Sequence, residues 1–530
     1  MSKPIVTASL VAPAFLGLNT QESSVANNPS FALEADNCII DKYGRLGARK
    51  GWRYITTTNG TGTNLKGIAP FLAVDGTNTV LSWSDTTFYK DTTTLVVTQP
   101  VMDDPLNPGS DIDYTFTDGN WQSAVLNDRC YFFQRGYKPL YYTKETGTEE
   151  FRPIEEQANY TGTVKEANIV LSAYGRLWVA DTEDNKTTVY FSDLLNGAKW
   201  GSGSAGSLNI AGVLSKGTDI ITGLAAHNGF LIVFCSDHII IFEDNDSFQG
   251  SFDVNTLRLV EVIEGVGCIA RDSIQNIGTD VIFLSSSGLR SLGRTIQEKS
   301  SPIGDLSRNI RNTFVTQIDN QDNKNLIRSC FFPEEAFYLL YLPEADVAYI
   351  FDTKGKLEDG ALRITTWSSI THNNFVYDKT DNVMYLAQTN GIAQYDTYTD
   401  NDQPYNMRYF TNHFDLDAPN TNKIIKRVGV TAIGSSAQEF SLYIGYDYTT
   451  NYLGFPFKLK ETNVAEYGIA EYGDNAAVIA EYNSGIALDR IDASVAGSGS
   501  IVQLGIDTEI NGAQLSVQKL DIYAKTGRII

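Results

Sequence analysis

Histidine, methionine and cysteine are scarce in this chain of 530 residues, at four, four and five respectively. The histidines, His227, His238, His372 and His413, show no H-E-x-x-H or H-x-H spacing, so the signature of a zinc hydrolase is missing. Cys38, Cys130, Cys235, Cys268 and Cys330 are odd in number, lie far apart and never form C-x-x-C. Neither a zinc site nor a disulfide framework is expected, and a thiol inside an apolar run such as FLIVFCSDHIIIF reads as a small buried hydrophobe. No G-x-S-x-G elbow and no loop ending in G-K-[ST] occurs, which leaves acyl-hydrolase and nucleotide-binding chemistry without a motif and gives no cofactor to expect. No window approaches eighteen uninterrupted apolar residues, as a transmembrane helix would require. The opening MSKPIVTASLVAPAFLGLN is interrupted by Pro4, Pro13 and Gly17 and lacks a charged leader, so it makes a poor signal peptide and a cytoplasm-like folding compartment is expected.

Positive charge is also in short supply. Lys and Arg total 41 against 63 Asp and Glu, a net charge of −22, which opposes nonspecific binding to nucleic acid or to an anionic membrane. Phosphate contacts are what hold proteins on DNA, so this acidity excludes a clamp yet suits a wall that DNA slides past. The acidic runs DTEDNK (181–186), EDNDS (243–247) and DNQDNKN (319–325) lack the Gly and Glu spacing of a helix–loop–helix calcium site and read as solvated turns. A pair of carboxylates across a cleft, as a glycosidase needs, stays open as an alternative in so acidic a chain.

Apolar residues make up 42% of the chain and aromatics 11%, including 28 Tyr and 26 Phe, which is the composition of a globular protein too long for one simple core. Helical periodicity is rare, and short β-branched and aromatic runs bounded by Gly, Asn, Asp and Ser dominate, so the fold class is all-β. Seven segments repeat a strand, turn, strand, turn, strand pattern: 67–91, 124–143, 169–193, 223–244, 274–295, 329–353 and 375–397. Their spacing is that of propeller blades, and a six- to seven-bladed β-propeller over residues 61–400 is expected, with a set of sandwich domains as the alternative. Adjacent aromatics, Phe88/Tyr89, Tyr131/Phe132, Tyr141/Tyr142 and Phe337/Tyr338, offer one ring to each face of a strand, as two blade–blade interfaces demand.

Two segments break the pattern. Residues 305–318 place Ile310, Phe314 and Ile318 at helical spacing behind a possible Asp305 cap, and predict one short amphipathic helix plugging a space between blades. Residues 98–120 are rich in Pro, Asp and Gly and predict a long exposed loop. Beyond residue 400 the spacing stops, and alternating strands predict a C-terminal β-sandwich platform at 401–530, with residues 1–60 packing against it.

The stretch GLNTQESSVANNPSFALEADNCIIDKYGRLGARKGW (17–52) resembles the opening of the nozzle proteins of short-tailed bacteriophages, also called tail tubular protein B. The residues carrying the resemblance are Asn28, Pro29, Ala32, Leu33, Asn37, Gly44, Arg49, Gly51 and Trp52. The tandem AEYGIAEYGDNAAVIAEY (465–482), with Tyr where those proteins carry Trp, and the closing LDIYAKTGRII are similar to segments of the same family.

That resemblance implies a structural virion protein without catalytic activity, assembled in the host cytoplasm. Six copies would form a ring below the portal and adaptor, contact tail fibres, and pass genomic DNA without binding it specifically. A ring of six would carry a charge of about −130. Arg45, Arg49, Trp52, Tyr467, Tyr472 and Tyr482 are the candidate subunit-interface residues, with the tyrosines alternatively lining the sandwich core. The cationic turn DKYGRLGARKGW (41–52) has no helix after it and no G-K-[ST], so a hairpin whose Arg and Lys meet an acidic neighbouring subunit is favoured over a phosphate cradle. A carbohydrate-binding or carbohydrate-cleaving receptor-binding propeller, and a generic cellular scaffold, remain the competing expectations.

Overall fold

The structure, a computed structural model, describes residues 5–23, 28–144, 149–214, 218–244, 254, 257–293, 305–370, 372–416, 421–435, 438–449, 451–459 and 486–529. Its middle is a β-propeller. Each of the seven repeat segments supplies three antiparallel strands, beginning with Gly67–Leu72, Gln122–Leu126, Ala167–Ala173, Ile221–His227, Gln275–Asn276, Arg328–Phe332 and Asn374–Asp378. Among the described residues, six of these sheets have a fourth strand, and the fifth, 275–291, has three. Adjacent sheets share buried clusters in unbroken order from first to seventh and back to the first, so the ring is closed.

The paired aromatics divide between those clusters as strand alternation requires. Phe88, Phe132 and Tyr142 fill the space between the first and second blades. Tyr131 and Tyr141 face the third blade, while Tyr89 faces the seventh. Phe337 points to the seventh blade and Tyr338 to the fifth. Each such ring removes enough apolar surface from water to contribute roughly 1.5–3 kcal/mol, and rings on both faces oblige a blade to have two neighbours.

The fourth strand of the seventh blade comes from far away in sequence. Gly51–Tyr54 pairs antiparallel with Gly391–Asp396, with Trp52 opposite Tyr395, so the N-terminal region closes the ring. The other strands of the first 60 residues turn to the C-terminal sheets. Ile5–Val11 and Leu46–Ala48 pair with Leu515–Ile529, and Ala32–Asp36 pairs with Tyr405–Thr411.

A C-terminal β-sandwich platform is the sequence expectation, and in the described residues the terminal sheets share their buried cluster with the fifth and sixth blades. The sixth blade continues through Arg363–Trp367, beside which Ala32–Asp36 lies parallel, into one nine-stranded sheet ending at Leu453–Lys458. That sheet, the seven-stranded sheet around Leu515–Ile529 and Thr421–Ser435, and the fifth and sixth blades all contribute to a single buried cluster.

The expected helix is present as Arg311–Asp319, preceded by a single 3-10 turn at Arg308–Ile310. Its buried Phe314 lies 4.9 Å from Tyr349 and 5.9 Å from Phe351 of the sixth blade. Asp305 does not cap this helix. It accepts a 2.8 Å bond from the Ser307 N–H and shapes the preceding turn, because Ile310 occupies the helix cap position. The 98–120 segment is not a structureless loop: Val101–Asp103 pairs with Asp111–Asp113 in an exposed hairpin, after which Tyr114, Phe116 and Trp121 are buried between the first two blades. Tyr114 and Phe116, spaced among polar residues, override the segment's turn-rich composition.

All five cysteines are buried and free. Burial pushes the Cys268 thiol up to about 11 and Cys330 to about 12, so thiolate is scarce at neutral pH. The native protein is expected to resist a thiol-reactive reagent at mildly alkaline pH and to titrate five thiols once unfolded in urea. Rapid labelling of the native chain would show this packing to be wrong.

Candidate functional site at the terminal lock and the propeller axis

The cationic turn Asp41–Trp52 contains three of the six sequence-predicted interface residues, Arg45, Arg49 and Trp52, and they do not form one surface. Leu46–Ala48 returns antiparallel to Cys38–Ile40, leaving residues 41–45 as the hairpin tip. Asp41 accepts bonds from the N–H groups of Tyr43 and Arg45 at 2.8 and 2.9 Å, which fixes the turn. The Arg45 guanidinium stays at the tip, 4.2 Å from the centre of the exposed Tyr43 ring and 3.7 Å from Asp41.

Arg49 departs from the expectation of a subunit contact. Its side chain is fully buried, in the short link between Leu46–Ala48 and Gly51–Tyr54, where Asn37, Asp400 and Tyr405 surround it. Its two terminal nitrogens grip Asp400 at 2.9 and 2.7 Å, and its Nε donates to Asn37 at 3.0 Å. The guanidinium lies 4.0 Å from the centre of the Tyr405 ring, whose hydroxyl donates to the Arg49 carbonyl oxygen. Bidentate pairing and stacking together use the planar fork in a way lysine could not. Burial, with the Arg49 charge adding to it, holds the adjacent His372 well below its ordinary value, at about 3, so that ring is neutral.

Lys50 is likewise committed, 3.5 Å from Glu335. Trp52 is half-buried, edge-on to His372 at 4.9 Å and to Tyr54 at 5.3 Å, and so belongs to the closing strand. Gly51 is required by close approach, since a Cβ there would fall 2.0 Å from the Thr399 carbonyl oxygen. Gly44 has φ +73° and a Cβ would meet Pro13 at 2.4 Å. The glycines therefore serve intrachain packing and form no phosphate cradle. Tyr467, Tyr472 and Tyr482 lie outside the described residues.

A second polar centre sits at the propeller axis and had no advance signal beyond the adjacent pair Arg271–Asp272. Arg271 and Arg328 are both buried and both reach Asp272, at 2.8 and 2.9 Å. Asn120 accepts a bond from each arginine, at 3.1 and 3.0 Å, and Asn168 accepts from Arg271 at 2.9 Å. Burial works against ionisation of Asp272, yet the two arginines outweigh it and hold the carboxyl below its ordinary value. The cluster stitches together the second, third, fifth and sixth blades and leaves a pocket of about 260 Å³ beside it. Its partners are separated by 56 residues or more, apart from Arg271 and Asp272 themselves, so no local spacing could have revealed it.

No family model matches the chain, and no curated protein matches it. Among solved structures, it is similar to PorZ, an essential bacterial surface component of the type-IX secretion system of Porphyromonas gingivalis, at 10% identity and a TM-score of 0.32. That similarity covers 64% of this chain and only 37% of PorZ. It is also similar to Hsv2 of Kluyveromyces lactis, at 11% identity and a TM-score of 0.31, over 57% of this chain and 85% of Hsv2. Neither likeness bears on function. Among the described residues, no helix is long and apolar enough to cross a membrane.

Proposed function

We propose that the chain is a structural subunit of the tail nozzle of a short-tailed bacteriophage, six copies of which close into a ring below the portal and adaptor. The two terminal regions would form the platform, a β-sandwich in this reading, and genomic DNA would leave through the space the ring encloses. The observation that carries the proposal is what the residues of the family resemblance do here. Asn37, Arg49, Gly51 and Trp52 converge on one lock that fastens the N-terminal region to the last blade and the C-terminal sheets, and Gly44 shapes the hairpin beside it. Such residues mark an architecture and not a reaction.

Two physical features agree with it. A net charge of −22 per copy keeps phosphate from finding a binding minimum along a conduit. Arg271, Asp272 and Arg328, with Asn120 and Asn168, bridge blades on opposite sides of the propeller, which favours a conduit between copies over one through each propeller. Of the expected contacts at the subunit joint, Arg45 at the exposed hairpin tip remains available, whereas Arg49 does not.

Mass photometry of the purified chain, alone and with the portal and adaptor of its own virus, is expected to give a six-copy species at least in the presence of those partners. The chain should also be present in purified virions. A strictly monomeric chain that is missing from virions would overturn the proposal.

A further inference from the structure

One face of the nine-stranded sheet carries an open groove of about 800 Å³ that the terminal lock and the propeller axis do not use. Its floor is built by placing aromatics over glycines. A Cβ on Gly505 would fall 2.2 Å from the Phe410 ring, one on Gly445 would fall 2.8 Å from Tyr452, and one on Gly454 would fall 3.0 Å from Tyr443. Gly505 lies between Phe410 and Tyr443 on neighbouring strands, so three rings share a single sheet face. Missing side chains let the rings settle against the backbone, leaving Tyr443 and Tyr452 half-buried and turned toward the groove. The Phe410 and Tyr452 ring centres are 5.0 Å apart, and Phe410 and Tyr443 are 6.3 Å apart.

Fixed polar groups flank these rings. Arg408 is held between Glu34 at 2.7 Å and Asp507 at 3.3 Å, which sets two carboxylates and a guanidinium along one wall. The Tyr452 hydroxyl donates to Gln503 at 3.0 Å, and the Gln503 amide donates to the Thr411 carbonyl at 2.8 Å, so these lining groups are also fixed.

We propose that this groove binds a neutral pyranose oligosaccharide. Sugar rings present an apolar C–H face to an aromatic plane and a rim of hydroxyls to carboxylate and guanidinium, and the groove offers both at once. An extended peptide gains its affinity by pairing with a sheet edge, and the groove is a sheet face whose backbone is already paired on both sides. Acidic sugars are disfavoured because two carboxylates face one arginine in a chain of net charge −22. The site is independent of the nozzle reading, since it requires no ring.

The test is saturation-transfer difference NMR on the full chain with maltohexaose, cellohexaose, a mannan and a galactan hexasaccharide, and sialyllactose as the acidic control. At least one neutral hexasaccharide is expected to bind with a millimolar or tighter Kd. Tyr443→Ala and Tyr452→Ala should each weaken that binding about tenfold, while Tyr443→Phe, which keeps the ring, should stay within about twofold. The thermal melt of Tyr443→Phe should match the parent, and each alanine variant should keep a single cooperative transition, because both tyrosines are only half-buried. No signal from any neutral sugar overturns the proposal, as does unchanged affinity in both alanine variants. Preferential, salt-sensitive binding of sialyllactose overturns it too. A change in oligomeric mass on Tyr443→Ala without sugar binding would assign the groove to contact between copies.

Discussion

Arg49→Glu is expected to lower stability by about 4–5 kcal/mol and to give largely insoluble protein, seen as a large fall in the urea midpoint of whatever remains soluble. Removing one partner of a buried ion pair typically costs about 3–5 kcal/mol, since the other charge is left without compensation. Here the new carboxylate would face Asp400 in a site where Arg49 is fully buried, so the upper end applies. The position also joins three parts of the fold through Asn37, Asp400 and Tyr405, so the loss should spread beyond the hairpin. Arg49→Lys should recover only part of the loss, because a single ammonium cannot make the bidentate pair or cover the Tyr405 ring. A urea midpoint unchanged in Arg49→Glu would mean that the lock is not structural and would return this residue to the surface role first expected of it. Arg45→Glu serves as the contrast: the side chain is at the hairpin tip, and its pair with Asp41 is exposed enough that stability should change by less than about 1 kcal/mol.

The second large effect is expected at the propeller axis. Asp272→Asn keeps the side-chain shape but leaves Arg271 and Arg328, both buried, facing each other without a counter-charge. A loss of about 3 kcal/mol should follow, measured as a lower urea midpoint at neutral pH. The pH dependence carries the sign. The folded carboxyl is held below its ordinary value of 3.8, so its stabilising contribution is complete above the unfolded chain's range. That contribution disappears as the pH falls from there through the lower folded value. The difference in stability between parent and Asp272→Asn should therefore be largest near neutrality and shrink toward strong acid. A difference that stayed constant across that window would remove the carboxylate's charge from the account. Burial pushes Glu335 and Asp305 the other way, upward, so only the comparison with the variant isolates Asp272.

The outer edges of the blades show what local pattern leaves out. Val96–Val97 and Gly206–Asn209 are short and exposed or half-exposed, without the apolar run that marks the three inner strands of their sheets. They are strands because an adjacent strand offers unpaired backbone groups, which alternation in their own residues does not announce. Gly51–Tyr54 is the extreme case, since the edge it completes is formed more than three hundred residues later. Segment 98–120 shows the converse: its Pro, Asp and Gly content hid the aromatics Tyr114 and Phe116, whose burial depends on the two blades beside them.

By itself, the sequence determined that this is an all-β chain of seven repeated three-stranded units whose paired aromatics oblige each blade to have neighbours on both sides. It also determined a helix with Phe314 and Ile318 inward, because alternation and helical spacing are properties of consecutive residues. Only the tertiary structure decided that the N-terminal strand closes the ring, that Arg49 faces inward to Asp400, and that Arg271 and Arg328 meet over Asp272. Those outcomes depend on which distant groups share a buried space, where an unpaired charge is too costly to leave, and residue spacing along the chain carries no record of that.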